Sequence, residues 1–235
     1  MAFPALEREM LWIWSQLRKA ALGLRIGKRW KRSEGAEGEL TRRLYPDYTT
    51  YLDHQGLKHD ALRARSLEGH DRRFSAALTD RLRECPVPFA GRSVLCLAAR
   101  TGAEVRVFAE LGAFAIGIDL NPGRRNRWVV EGDFHELQFA SGSVDVVYVN
   151  SLDHVFDLER VVAEVRRVLK PDGVLIAEIG LGLEEGNSPG FYEALAWRST
   201  DDLTRRIAAT GFEQGRRISF DVPWKGVQVL LKKLS

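Results

Sequence analysis

Short apolar runs alternate with helical segments from residue 91 onward, and this alternation constrains the fold more than any other feature of the sequence. Runs with the length and composition of buried strands span residues 93–97, 115–119, 127–131, 144–149 and 174–179. Helical spacing, a cap or a stop signal marks residues 101–111, 157–169 and 201–210. Strands that alternate with helices form a parallel sheet with helices on both faces.

Two further strands, residues 212–222 and 227–232, follow each other across a Pro/Gly turn. A tight turn joins antiparallel neighbours, whereas parallel neighbours need a long crossover. We therefore predict an α/β fold with a doubly wound, mostly parallel seven-stranded sheet. An antiparallel C-terminal hairpin strand and an N-terminal helical extension complete the predicted fold.

The 235 residues divide by pattern into three parts. Residues 1–38 are predicted to form a basic amphipathic helix and a linker, residues 39–90 a helical lid or connector, and residues 91–235 the α/β domain. No apolar stretch has the length of a membrane-spanning helix, and we expect no secretory signal, because no small-residue cleavage site follows a short apolar run near residue 1. Cys85 and Cys96 have neither metal-site nor disulfide spacing, so we expect a reducing, cytoplasmic setting.

The first helix carries an apolar stripe and a block of positive charge. The stripe has spacings of three and four and comprises Phe3, Leu6, Met10, Ile13, Leu17, Ala20 and Leu24. Seven basic residues and no acid lie between Arg18 and Arg32. Such a helix packs on the core or on a second subunit of a homodimer, or it lies on an anionic membrane surface through residues 1–32. We favour packing over peripheral membrane contact.

Residues 41–84 are polar and have helical patches. Tyrosines and a histidine concentrate between Tyr45 and Gln55. This composition suits a lid over a pocket and a solvated connector equally well. No sequence feature fixes where Tyr51 and His54 lie relative to the α/β domain.

Candidate binding residues follow the predicted strands. In an open α/β sheet, ligands bind beyond the carboxyl ends of the strands, near the point where the strand order reverses. Those ends carry the turn 98–102, then Asp119, Asp133 and the pair Asn150–Ser151. A helix N-terminus favours an anion, and an acid after the second strand can accept hydrogen bonds from a ribose diol. This set suits a ligand with an anionic end and a nucleoside.

The order of these motifs resembles that of the class I S-adenosylmethionine (SAM)-dependent methyltransferases with Rossmann-like, type 11-like motifs. Residues 94–102 (VLCLAARTG) occupy the place of the family's first, glycine-rich motif. Residues 117–120 (GIDL) and 132–134 (GDF) match the motifs for ribose and adenine. Residues 144–154 resemble the fourth-strand motif, and residues 169–175 (LKPDGVL) resemble the turn that follows the next helix. The resemblance covers roughly residues 70–235 and includes the reversed strand near the C-terminus.

This resemblance implies a SAM-binding set, transferred position by position. The implied cofactor-binding residues are Ala98, Ala99, Arg100, Thr101, Gly102, Asp119, Leu120, Gly132, Asp133, Phe134, Asn150 and Ser151. The family's first motif has an acid and two glycines where this chain has Cys96, Ala98 and Arg100. Alanine at position 98 costs little if its φ is negative. We hypothesise that Arg100 contacts the SAM carboxylate, and the alternative is a solvent-facing arginine on a remodelled loop.

A general base is needed only if the methyl acceptor must lose a proton. His154, four residues past Asn150, is the best candidate because an imidazole titrates near neutral pH. Asp153 is a weaker candidate, and the alternative role for His154 is to line or cap the pocket. The acids and histidines lack metal-ligand spacing, so we predict no metal site. The sequence A-A-R-T-G also lacks the G-x-G-x-x-G fingerprint of NAD-binding folds.

We therefore predict a SAM-dependent methyltransferase that acts on a small molecule or on a glycan- or lipid-linked acceptor. The alternative is a catalytically inactive binding or scaffold protein with the same fold, which the altered first motif would suit. Retention of Asp119 and Asp133 favours the enzyme. Nucleic-acid methylation is disfavoured, because the excess positive charge lies in one amphipathic segment and no amine-methylating N/D-P-P-Y motif occurs.

Overall fold

The structure is a computed structural model that describes residues 5–26, 29–33, 39–63 and 68–234. Its helices are α1 (Ala5–Ile26), α2 (Tyr48–Arg63), α3 (Glu68–Arg83), α4 (Ala103–Glu110), α5 (Leu158–Val168) and α6 (Thr200–Ala208). Its strands are β1 (Trp30–Ser33), β2 (Leu40–Arg43), β3 (Ser93–Leu97), β4 (Phe114–Asp119), β5 (Val129–Glu131), β6 (Val144–Val149), β7 (Leu169–Gly180), β8 (Leu195–Trp197), β9 (Phe212–Phe220) and β10 (Gly226–Lys233). None of the described helices is long and apolar enough to cross a membrane.

A seven-stranded sheet organises the chain from residue 93 onward, with the order β5-β4-β3-β6-β7-β10-β9. The strands from β3 to β7 pair in parallel, and β10 is antiparallel to both of its neighbours. The strand order reverses at β3, which lies between β4 and β6. The predicted doubly wound α/β fold with a reversed C-terminal strand is confirmed.

Local sequence explains why these elements begin and end where they do. Asp157 caps α5 as predicted, since its carboxylate accepts a hydrogen bond from the Arg160 backbone N–H at 3.1 Å. The apolar face of α5 then packs into one of two hydrophobic clusters, one on each face of the sheet. Strands β3 and β6 are buried almost throughout because helices cover both faces. Only residues 120–128 separate β4 from β5, and no helix forms between these strands.

The face that α1 turns toward the protein differs from the predicted face. Ser15 and Ile26 are its buried residues, whereas Ile13 and Leu17 are at least half exposed and Leu24 is 89% exposed. Phe3 and the side chain of Leu6 lie outside the described residues. Of the two forms of the favoured packing interpretation, packing of this stripe on the core is therefore wrong for the described part of α1. The other two interpretations, a second subunit and a membrane surface, stay predictions.

The predicted helix ends at Ile26, and the end of its basic stretch, with the first linker residue Ser33, forms β1 instead. The rest of the predicted linker, residues 34–38, lies outside the described residues. Strands β1 and β2 form a small antiparallel sheet with β8, which lies far away in the sequence. This sheet brings the N-terminal segment against residues 194–197. Isolated four-residue strands carry too weak a pattern to be recognised from sequence.

Candidate functional site

A cavity of about 550 Å³ opens at the carboxyl ends of β3, β4, β6 and β7. It therefore lies where the strand order reverses, as expected for an open α/β sheet. Eight of the predicted site residues line it: Ala98, Arg100, Asp119, Leu120, Phe134, Asn150, Ser151 and His154. Helix α2 contributes Tyr51, Gln55 and Lys58, whose spacing of four and three places them on one helical face. Helix α2, which belongs to the segment predicted as a lid or connector, thus covers the carboxyl ends of these strands.

Asp119 ends β4 and is buried at the cavity wall. Its two carboxylate oxygens accept backbone N–H groups of Arg100 at 2.9 Å and Asn121 at 2.8 Å. These bonds tie the turn after β3 to the end of β4 and fix the orientation of the carboxylate. A carboxylate has about four acceptor positions, so it has capacity for hydroxyl donors beyond these two bonds.

The turn after β3 adopts a strained backbone. Ala98 has a φ of 51° and Arg100 a φ of 46°, both in the left-handed region that glycine tolerates best. The condition under which alanine would cost little, a negative φ, is therefore not met at position 98. The backbone keeps the shape that a glycine-rich turn would have, and the surrounding structure bears the strain. Arg100 lines the cavity rather than facing solvent on the outside of the loop.

Five predicted cofactor-binding residues do not lie at the cavity wall: Ala99, Thr101, Gly102, Gly132 and Asp133. Ala99 is buried in the apolar cluster, and the Thr101 hydroxyl donates to Asp71 of α3 at 3.0 Å. Gly102 has a φ of 84°, and a Cβ there would lie 2.7 Å from the Cβ of Trp128. Ala99, Thr101 and Gly102 thus shape the loop that carries Arg100. Contacts of all five residues with a cofactor stay predictions.

Asp133 is engaged inside the protein. Its carboxylate accepts hydrogen bonds from the Tyr48 hydroxyl and from the backbone N–H of His135, the latter at 2.8 Å. The His135 Nε2 atom accepts backbone N–H groups of Phe156 and Asp157, so Nδ1 carries the hydrogen that points to Asp133. Burial alone would raise the pKa of Asp133, but these hydrogen bonds hold it below its usual value. Asp133 therefore anchors α2 to the domain.

The cavity's residues fit SAM. Its volume lies in the range of about 300–1,000 Å³ that is usual for small-molecule sites. Arg100 offers a cation for a carboxylate, and Asp119 offers acceptors for a ribose diol. Leu120 and Phe134 supply apolar surface for a purine. All four lie at or just after the ends of β3, β4 and β5. We call this side of the cavity its donor half, because SAM is predicted to bind there.

The other half of the cavity follows β6 and β7 and holds a compact group of ionisable residues. One side-chain nitrogen of His154 and one carboxylate oxygen each of Asp153 and Glu193 lie within 4.8 Å of one another. The Lys58 amine is in hydrogen-bond contact with His154 Nε2, and His154 Nδ1 lies 3.1 Å from the Tyr192 carbonyl oxygen. Burial lowers the pKa of His154, which Lys58 lowers further and Asp153 opposes. Sequence reasoning found His154 here but missed Lys58 and Glu193.

Glu178 lines the same half but is already saturated with donors. Arg81 of α3 donates to it at 2.8 and 3.1 Å, and Tyr148 and Gln228 each donate at 2.9 Å. Such a buried, fully paired carboxylate serves as a structural anchor. Its position inside an apolar strand run, at Ala-Glu-Ile, is the one sequence signal that could have drawn attention to it.

Residues 95–177 match the model of a family described as a methyltransferase domain. A demethylmenaquinone methyltransferase of Thermobifida fusca is 29% identical over 177 residues, which cover 57% of this chain and 75% of the relative. The corresponding protein of Corynebacterium urealyticum is 27% identical over 201 residues, which cover 71% of this chain and 86% of the relative.

The 1,6-didemethyltoxoflavin-N1-methyltransferase of Burkholderia thailandensis, solved with its acceptor and S-adenosylhomocysteine, has a similar structure. The TM-score is 0.63 at 15% identity, and the match covers 87% of this chain and all of the other, 100%. A SAM-dependent methyltransferase of Aquifex aeolicus has a TM-score of 0.54 at 14% identity and covers 66% of this chain and 89% of that one. At these identities the structural similarity establishes the fold.

Proposed function

We propose that this chain is a class I SAM-dependent methyltransferase that methylates a hydroxylated aromatic small molecule. The two relatives named above are demethylmenaquinone methyltransferases, which supports an acceptor of the quinol type. The acceptor of the Burkholderia enzyme is named as 1,6-didemethyltoxoflavin, a different small molecule. The glycan-linked acceptor considered from the sequence has no observation in its favour.

The observation that carries the proposal is the composition of the other half of the cavity, which follows β6 and β7 and which we call the acceptor half. Tyr51, Trp197 and Trp224 wall it with aromatic rings, while Lys58 and His154 meet at its polar end. Aromatic walls stack on a flat ring, and the polar groups provide hydrogen bonds for a ring hydroxyl.

The chain's own residues supply positioning, exclusion of water and proton removal. When bound, SAM supplies a methyl group on a positively charged sulfur. The aromatic walls hold the acceptor in line with that methyl group, and helix α2 covers the site from water through Tyr51 and Gln55. Gln55 donates to the Tyr192 carbonyl at 3.0 Å, which secures this cover. We assign residues 39–90 the role of a cover rather than of a solvated connector.

Turnover with matched acceptors tests the proposal. Purified enzyme with SAM and a reduced naphthoquinol carrying a short side chain should yield methylated product and S-adenosylhomocysteine. The same compound with both hydroxyls blocked as methyl ethers is the matched control and should not react. Methylation of an aliphatic amine panel, with no reaction of any quinol or phenol, would contradict the proposed acceptor class.

We further propose that the exposed face of α1 rests on an anionic membrane, where a lipophilic acceptor would be found. The outward face of α1 carries five apolar side chains that are each at least half exposed: Met10, Ile13, Trp14, Leu17 and Leu24. Basic residues follow on the same segment, among them Arg25, Arg29 and Lys31. Apolar residues beside positive charge suit the interface of an anionic bilayer.

Co-sedimentation with vesicles tests this surface. The protein should bind vesicles of phosphatidylglycerol and phosphatidylcholine but not phosphatidylcholine alone. The double variant Trp14→Glu, Leu17→Glu should lose this binding, whereas Phe114→Glu, at a residue 76% exposed at the start of β4, should keep it. Absence of binding to anionic vesicles would contradict the proposal. A dimer in light scattering that the double variant dissociates would point to a second subunit instead.

A further inference from the structure

The Lys58–His154 contact joins the N-terminal part of the chain to the acceptor half of the cavity. Lys58 comes from α2, and His154 ends the 3₁₀ turn that follows β6. Both side chains line the cavity, and their nitrogens are in hydrogen-bond contact. Neither the family match, which begins at residue 95, nor any sequence motif assigns a role to Lys58.

Hydrogen-bond partners fix which nitrogen of His154 is free to accept. Nδ1 lies 3.1 Å from the Tyr192 carbonyl oxygen, which can only accept, so Nδ1 carries the hydrogen. Nε2 then carries the lone pair, and it faces the Lys58 amine. The Tyr51 hydroxyl donates to the His154 carbonyl at 3.1 Å and holds this turn beneath α2. A proton that reaches Lys58 can therefore be shared with His154.

The charges around Lys58 leave it poised to accept a proton. Among the described residues no carboxylate oxygen lies within ion-pair distance of the Lys58 amine, although His154 Nε2 lies 3.6 Å from an Asp153 carboxylate oxygen. Burial lowers the pKa of the Lys58 ammonium and Arg100 lowers it further, whereas Asp153, Glu193 and Asp119 raise it. A buried lysine with a lowered pKa is a common form of catalytic base.

We propose that Lys58 is a catalytic residue, which takes the hydroxyl proton of the acceptor and shares it with His154. This assignment rests on the proposed function, since it requires an acceptor with an ionisable hydroxyl. The acceptor's O–H bond breaks and an N–H bond forms on the neutral amine, giving an aryloxide and an ammonium ion. The aryloxide oxygen then forms a bond to the methyl carbon, which cancels its negative charge, while the carbon–sulfur bond breaks and leaves its electron pair on sulfur.

Two substitutions distinguish a role of Lys58 as a base from a role as a positive charge only. Lys58→Met removes both the charge and the base, whereas Lys58→Arg keeps the charge but cannot act as a base near neutral pH. Both should lower kcat/KM by about 100-fold or more with an acceptor whose hydroxyl is un-ionised at the assay pH. Both should lose less than about tenfold with an acceptor that is already ionised, because its proton has gone before it binds. The control Lys232→Met, at an exposed ion pair, should match the wild type.

Two results would contradict the role of Lys58 as the base. Full activity of Lys58→Arg would overturn the base and leave a purely electrostatic role. Equal losses with both acceptors would show that Lys58 only shapes the site. The affinity of each variant for S-adenosylhomocysteine should equal that of the wild type, which separates these results from misfolding.

A titration without any acceptor makes the test independent of turnover. Carbon NMR of the wild-type protein, labelled at lysine Cε, follows each amine through pH, and Lys58→Met identifies the Lys58 signal. The proposal predicts a midpoint well below the ordinary value of about 10.4. A midpoint at or above that value would overturn it. If the wild type methylates no hydroxylated aromatic compound, the proposed function fails, and this titration still decides whether Lys58 can be a base.

Discussion

Glu104 is buried with neither carboxylate oxygen hydrogen-bonded to another described residue. It lies in the first turn of α4, directly behind the loop that carries Arg100. Burial raises its pKa from 4.5 to about 7, and the nearby Asp71 and Asp119 add to this, while Arg100 opposes it. Ionising this carboxylate therefore destabilises the folded protein.

The sign of the effect follows from proton linkage. A carboxyl whose pKa is higher in the folded state than in the unfolded state costs nothing below the unfolded value. The cost grows as pH rises from 4.5 and is complete above about 7. The shift of about 2.5 units, at 1.36 kcal/mol per unit, amounts to roughly 3 kcal/mol. Glu104→Gln, which cannot ionise, should remove this cost.

Urea unfolding of the wild type and of Glu104→Gln, followed by tryptophan fluorescence at several pH values, measures the difference. The variant should gain roughly 3 kcal/mol on the wild type at about pH 8, and the gain should shrink toward zero at about pH 4.5. Other titrating groups cancel in this comparison. A gain that does not change with pH would refute the reasoning, since it would show that Glu104 does not change its ionisation on folding.

Other substitutions test separate parts of the site. Ala98→Gly should raise the free energy of unfolding by about 1 kcal/mol in urea, because glycine relieves the left-handed φ; a loss of stability would contradict the strain. Arg100→Ala should weaken SAM binding by about tenfold in calorimetry, because a charge-assisted contact is lost; unchanged affinity would place Arg100 outside the site. Tyr48→Phe should cost about 1–3 kcal/mol of stability, because Asp133 loses a donor; an unchanged urea midpoint would show that this bond does not hold α2.

The sheet could be predicted from sequence because its strands are buried on both faces. Such strands read as continuous apolar runs, and caps such as Asp157 mark the helices between them. The positions of Asp119 and His154 at the cavity followed from the same pattern, since ligands bind beyond the strand ends. These inferences needed only local sequence and the topology that it implies.

The remaining features depend on contacts between distant parts of the chain. Nothing near residue 58 indicates that its amine meets His154, which lies 96 positions away. The engagement of Asp133 with Tyr48 is likewise set by how α2 docks. For α1, the predicted stripe was real, but the helix turns a different face toward the protein, so periodicity alone could not say which face is covered. The left-handed φ of Ala98 reflects the loop's shape overriding residue preference.

Isothermal titration with S-adenosylhomocysteine tests the central claim most directly, namely that the cavity beside Asp119 holds the methyl donor. The wild type should bind, and Asp119→Ala should lose at least about tenfold in affinity, because a ribose diol would lose its charged acceptor. Leu120 and Phe134 would remain in place for the purine. Absence of binding to the wild type, or equal binding by Asp119→Ala, would contradict the account.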